Sequence, residues 1–191
     1  MTKTQPNLKS KRLRLGELRA SDIPKIVEYA SHPRISEMTL NIPTPYSEKD
    51  AIFWLNMAHQ GFKQGHQHIF GIFLNEGDQF IGGIGLHVNH SHDNAEVGYW
   101  VGEPFWNKGF ASEAMALVLE YGFNKLKLHK IYARHLIGNP ASGKVMTKNG
   151  MIKEGELADH YKKGNEYRSV KQYRLTKTEY DKVKNLTGVG S

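Results

Sequence analysis

The chain has 191 residues, 39% of them hydrophobic and 24% charged, which predicts one globular domain over 1–191 with its own core and excludes wholesale disorder. Cysteine is absent, which excludes disulfides, thiolate metal sites and cysteine nucleophiles. Lys and Arg number 26 against 19 Asp and Glu, and the net charge of +7 favours nucleic acid, acidic lipid or a phosphate-bearing cofactor without choosing among them.

Residues 1–7 are polar and lack the apolar stretch of a secretory signal, and 1–8 are expected to be disordered. No apolar run reaches the roughly 18 residues of a membrane span, so the expectation is a cytoplasmic protein without a membrane partner. In the basic stretch 9–14, Leu13 and Leu15 alternate with Arg12 and Arg14 and no aromatic residue intervenes. That pattern predicts a strand with a solvated outer face rather than a nucleic-acid patch. Ser21 and Asp22 precede Ile23-Pro24, an N-cap followed by proline, and Ile23, Ile26, Val27 and Ala30 fall on one helix face. The helix should stop before His32-Pro33. A loop with Pro43, Pro45 and Tyr46 leads to a second helix, opened by Ser47 with Asp50 as its capping-box partner.

Strands are predicted at 69–74, 80–86 and 95–101. Gly82, Gly83 and Gly85 inside one strand require a bulge or a close approach. Ala111, Ala114, Met115, Val118 and Gly122 mark a helix running to about Lys125. A strand at 130–136 and a helix at 141–149, closed by Gly150, come next. Two strands, 152–156 and 169–175, complete the pattern, and 187–191 should be a frayed tail. Strands and helices mix without strict alternation. The reading is an α+β fold with a mostly antiparallel, twisted sheet of six to seven strands flanked by about four helices.

Two turns could bind anions. Around Lys108, Gly109, Phe110, Ala111 and Ser112, a strand-to-helix turn loses side-chain bulk where helix N-terminal amides converge. Such a turn suits a pyrophosphate, with Lys108 and Ser112 as added donors; alternatively, Ser112 is an ordinary N-cap and Glu113 complements the helix dipole. The run from Gly138 to Lys144 satisfies G-x-x-x-x-G-K, but Val145 replaces the hydroxyl that would hold Mg²⁺ and Pro140 lacks an amide N–H. The match is accidental. His87, His90 and His92, and His66 with His68, read as polar hairpin residues, and no metal is expected. The dinucleotide pattern G-x-G-x-x-G is absent.

Four segments together resemble the GNAT superfamily of acetyl-CoA-dependent N-acetyltransferases, and most of all its ribosomal-protein alanine/serine N-terminal subgroup. They are Arg12-Leu13-Arg14-Leu15 with Ser21-Asp22; residues 95–101; residues 107–114; and Asn139-Pro140-Ala141-Ser142 with Val145, Lys148, Gly150-Met151 and Glu154-Gly155. The resemblance spans nearly the whole chain. It implies the GNAT fold, acetyl-CoA as cosubstrate and no metal. It implies cofactor contacts from Trp100, Val101, Lys108, Gly109, Phe110, Ala111, Ser112, Asn139 and Ser142, with Asn139 on the pantetheine arm and the Val101 N–H on the oxyanion.

Two departures stand out. Trp106 occupies a place where Gln or Arg is common, and Met146 occupies that of a tyrosine acid. Ser142 is therefore the candidate donor to the leaving thiolate, as the subgroup's serine is thought to be. The subgroup's glutamate base falls near Asp159, His160 and Tyr161, which makes His160 one candidate base and Glu96 its rival. The implied reaction is direct attack of an amine on the thioester in a ternary complex. The acceptor would be a protein N-terminus, a ribosomal protein among the options, or a polyamine or aminoglycoside; loops 31–45 and 158–167 would shape its pocket. A catalytically silent CoA-binding domain or a basic nucleic-acid-binding module is the reading from another class, and a homodimer is compatible with either.

Overall fold

The computed structural model describes residues 4–186. Eight strands form one sheet: β1 (Leu8–Lys9), β2 (Leu13–Gly16), β3 (Gln67–Leu74), β4 (Phe80–Asn89), β5 (Asn94–Val101), β6 (Lys130–Leu136), β7 (Ile152–Lys163) and β8 (Glu166–Thr176). Their order is β1-β2-β3-β4-β5-β6-β8-β7, antiparallel throughout except at β5–β6. Six α-helices accompany them: α1 (Ile23–Ala30), α2 (Pro33–Met38), α3 (Glu48–Gln64), α4 (Phe110–Asn124), α5 (Pro140–Lys148) and α6 (Lys177–Leu186). The α+β class is as expected. The described residues hold one strand and two helices more than the sequence pattern predicts.

Each addition has a local cause. The segment expected to be disordered is anchored from residue 5 onward: Gln5 is buried and its Nε2 donates to the Ile69 carbonyl (2.7 Å), while Leu8 pairs with Leu15. Residues 187–191, expected to be frayed, lie outside the described residues. Pro33, read as a stop, is the first residue of α2, where a proline's fixed φ and missing N–H are harmless. At α6 the Glu179 carboxylate accepts from Thr176 N–H (2.8 Å) and Thr176 Oγ1 accepts from Glu179 N–H (3.3 Å), a capping box. Tyr180 then stacks on Phe123, ring centroids 4.8 Å apart.

The sheet is covered on both faces. β3 sends Phe70 and Ile72 to a cluster beneath α4, with Leu86, Val97, Met115 and Val118, and Ile69 and Phe73 to a second cluster beneath α1 and α3, with Ile26, Leu55 and Phe80. Burying each such side chain contributes about 1.5–3 kcal/mol. The glycines of β4 mark close approaches: a Cβ on Gly82 would strike the Trp100 carbonyl, and one on Gly83 would lie 2.6 Å from the Trp54 ring. Among the described residues no helix is long and apolar enough to cross a membrane.

The stretch 158–167 is a long arm of β7 and β8 rather than a loop. Pairing jumps from Leu157 with Val170 to Tyr161 with Arg168, so residues 158–160 bulge, and Asp159 is left-handed at φ 47°. His160 sits in this exposed bulge.

Candidate active site

The sheet opens at one place. β5 and β6 pair only from Asn94–Glu96 to Lys130–Tyr132, and beyond Glu96 the two strands diverge. The inner edge of β5 is thereby freed. Gly102 N–H donates to Ile81 O (2.8 Å), and because bonding alternates along an antiparallel pair, the Val101 amide faces away from β4, into the gap. The Val101 carbonyl is held on that side by Trp106 Nε1 (2.6 Å). The indole that replaces a common Gln or Arg thus fixes the end of the diverging strand. Its own ring carries the Arg34 guanidinium, 5.1 Å from the centroid.

The turn after β5 delivers helix amides to solvent. Gly109 is the N-cap of α4 in the left-handed region (φ 81°), preceded by Asn107 at φ 60°. A Cβ on Gly109 would find room, so glycine is needed there for its backbone rather than its size. The N–H groups of Gly109, Phe110, Ala111 and Ser112 have no acceptor within the helix, which makes this end favourable for an anion. Ser112 is therefore not the cap. Lys108 is exposed beside the turn. Glu113 does not simply complement the dipole: it accepts from Ser10 Oγ (2.6 Å) and Arg12 Nε (2.7 Å), and Arg12 Nη1 also donates to Lys108 O (3.0 Å). Burial raises the Glu113 pKa, but the bonds from Ser10 and Arg12 outweigh it and hold the carboxyl below its usual value.

Across the gap, α5 presents its first turn. Asn139 is its N-cap: Asn139 Oδ1 accepts from Ser142 N–H (3.2 Å) and Nδ2 donates to Met38 O (3.3 Å). Ser142 Oγ lies 2.7 Å from the phenolic oxygen of Tyr99, on β5. Burial pushes the Tyr99 pKa up to about 12, against a smaller opposing effect of the Ser142 bond, so the phenol stays neutral. Gly143 lets α5 come close, since a Cβ there would lie 2.8 Å from His135 Nε2. Met146 is buried.

Glu96 and Trp100 point to the opposite face of β5 from Tyr99. Trp100 packs on Trp54 and Phe80, each 5.9 Å between centroids. Glu96 stands where pairing ends, 3.3 Å from Arg134 Nη1, which also donates to Tyr161 Oη (2.8 Å). Burial raises the Glu96 pKa, and the charges of Arg134 and His160 draw it part of the way back. The structure so brings Glu96 and His160 into electrostatic reach of one another. A half-buried carboxylate of raised basicity beside a gap is suited to take a proton.

Sequence reasoning missed Tyr99, Arg12, Arg134 and Tyr161, whose partners lie 27 to 101 residues away along the chain. The histidines serve structure: His68 Nδ1 pairs with Tyr121 Oη (3.0 Å) and His90 Nε2 with Gly65 O (2.8 Å). Among the described residues no group of three or more His, Asp or Glu could hold a metal ion.

Known proteins share this architecture. A family model described as Acetyltransferase (GNAT) domain matches residues 12–152. The Bacillus licheniformis protein named uncharacterized N-acetyltransferase p20 is 32% identical over 175 residues, 91% of this chain and 97% of its own. The ribosomal protein uS5-alanine N-acetyltransferase of Escherichia coli is 29% identical over 108 residues, 56% of each chain. The spermidine N(1)-acetyltransferase of Vibrio cholerae is 28% identical over 95 residues, 50% of this chain and 55% of its own. The crystal structure of a GNAT-family acetyltransferase from Bacillus anthracis superposes with a TM-score of 0.80 at 26% identity, covering 91% of this chain and 99% of that one. The chain belongs to the GNAT family and is an N-acetyltransferase.

Proposed function

We propose that the protein transfers the acetyl group of acetyl-CoA to a primary amine by direct attack in a ternary complex formed in the gap between β5 and β6. The observation that carries this is the divergence after Glu96, which frees the Val101 amide and sets Glu96 and the Tyr99–Ser142 pair on opposite faces of one strand. The cofactor's pyrophosphate would rest on the amides of Gly109, Phe110, Ala111 and Ser112, with Lys108 beside it. Its pantetheine arm would run along Tyr99 and Val101 toward Ser142. Asn139, whose side chain is engaged at both ends, would contribute its main chain and the shape of the channel.

Glu96 would accept the proton of the incoming ammonium, the Val101 N–H would stabilise the oxyanion, and Ser142 would hydrogen-bond the departing sulfur. His160 is the second candidate base, reaching the amine from the bulge of β7. For the acceptor we favour a protein N-terminus, a ribosomal protein being one such partner. An α-amine has a pKa of roughly 8, against about 10 for an alkylamine such as lysine, so one half-neutralised carboxylate can deprotonate it more readily. Glu96 is already paired with Arg134, a poor arrangement for collecting a polycation. Spermidine remains the second reading because of the Vibrio cholerae relative. The deciding experiment is single-turnover transfer to N-terminal peptides and to spermidine, followed by release of free CoA thiol. Transfer to neither would end both of these acceptor readings, and preference for spermidine would end the N-terminal one.

A further inference from the structure

A half-buried phenol whose hydroxyl is turned away from water needs a partner, because that hydroxyl loses bonds to water that apolar surroundings do not replace. Tyr99 meets this requirement with one side chain, Ser142, at 2.7 Å, and with the Ser142 carbonyl at 3.3 Å. Ser142 is meanwhile fixed from the other side by its amide on Asn139 Oδ1 (3.2 Å). That bond orients its backbone, and its hydroxyl has no second side-chain partner among the described residues. A serine hydroxyl holds one proton and can also accept. If Tyr99 donates to Ser142 Oγ, the serine proton is free to turn elsewhere, and the gap is what the turn faces. One turn further along α5 stands Met146, buried and without any proton to give.

We propose that Tyr99 is a positioning residue for the proposed donor Ser142: it donates to Ser142 Oγ and so directs the serine proton toward the sulfur that departs from the acetyl group. The inference rests on the functional reading above. The step balances without a further reagent. One ammonium proton passes to Glu96, the neutral amine nitrogen forms the N–C bond, the C–S bond breaks with its electron pair on sulfur, and the second nitrogen proton, lost as the amide forms, ends on that sulfur to give the free CoA thiol. The thiolate leaves hydrogen-bonded to Ser142, and neither hydroxyl has to ionise. Because burial keeps the phenol protonated, Tyr99 remains a donor throughout the neutral range.

The test measures kcat and the KM for acetyl-CoA, under single turnover, for Tyr99→Phe, Ser142→Ala and the double variant. Ser142→Ala should lower kcat by roughly 10²–10³-fold, as loss of an oxyanion-type donor does, and Tyr99→Phe by about tenfold. The KM for acetyl-CoA should stay put in both, and the double variant should be no slower than Ser142→Ala. A positioning residue has nothing left to act on once the serine is gone. Normal kcat in Tyr99→Phe with a slow Ser142→Ala would overturn the role of Tyr99 alone. Normal kcat in Ser142→Ala would overturn the reading of Ser142, and independent, multiplying losses would overturn the link between them. Tyr99→Phe keeps the ring and its packing; a melting curve confirms that assays run on folded protein, and Ser142→Thr, which retains the hydroxyl, should recover part of the Ser142→Ala loss.

Discussion

Arg12 and Glu113, separated by 101 residues, form an ion pair in which Arg12 Nε and Nη2 lie 2.7 and 2.6 Å from the same carboxylate oxygen, Glu113 Oε2. The same guanidinium donates to the Lys108 carbonyl (3.0 Å) and lies over the Phe110 ring, so the residue just before β2 holds the turn that opens α4. A partly exposed pair of this kind contributes only about 0–1 kcal/mol to folding. Its larger effect is on the loop. Arg12→Met should leave the melting temperature almost unchanged yet weaken acetyl-CoA binding about fivefold, equivalent to ~1 kcal/mol. Calorimetric titration checks it, and unchanged affinity would dissociate the clamp from the cofactor.

Gly109 makes a sharper case, because two effects act together. An alanine there must adopt φ 81°, which costs about 1–2 kcal/mol. Gly109→Glu adds a negative charge where the pyrophosphate would lie, at the positive end of α4. We expect Gly109→Ala to be folded but less stable, and Gly109→Glu to lose CoA affinity by at least about tenfold. Equal affinity in a folded Gly109→Glu protein would place the cofactor elsewhere.

The pH profile tests Glu96. With Glu96 as the proposed base, activity should fall as pH drops through the Glu96 pKa, and burial sets that limb above where an exposed glutamate would place it. Arg134 favours the charged form. Removing it in Arg134→Gln should move the acid limb of kcat/KM to higher pH, while Glu96→Gln should remove the limb and lower kcat by roughly 10²-fold or more. If the limb survives in Glu96→Gln and vanishes in His160→Gln, the base is His160.

The fold was legible where local chemistry is self-contained. Ser47 and Asp50 make the expected capping box, with Ser47 N–H on Asp50 Oδ2 at 2.7 Å, and α3 starts at Glu48 as the cap dictates. The β4 glycines meet neighbours closely, as glycines within a strand must. The pattern fails where partners are distant. β1 exists because Gln5 finds Ile69, and the arm of β7 and β8 alternates too weakly to read as strands because most of its residues are exposed. At the site, the glycine-opened turn of α4 is a local signal and was visible. The bond from Tyr99 to Ser142 spans 43 residues and depends on how α5 docks against β6, which no periodicity reports.

Lys163 stands two residues beyond the end of a chain of contacts that begins at Glu96. Arg134 joins Glu96 to Tyr161, and Lys163, two residues further along β7, shares the Tyr161 face. Its ammonium donates to the carbonyls of Thr39 (2.8 Å) and Ser36, at the end of α2, while Asn139 holds Met38 from the α5 side. α2 is thus held both from β7 and from the start of α5. Burial lowers the Lys163 pKa, with Arg168 adding to the effect and Glu37 opposing it, so the charge is held at some cost and its two bonds must offset that cost. Lys163→Met keeps the length of the stem and removes the donors. It should lower stability by about 1 kcal/mol and free α2 to move. The kinetic consequence should fall on one substrate: a higher KM for the amine, and an unchanged KM for acetyl-CoA, whose proposed contacts lie on β5, α4 and α5. Initial rates with each substrate varied separately distinguish the two. A rise in the acetyl-CoA KM alone would show that the strap guards the cofactor side instead.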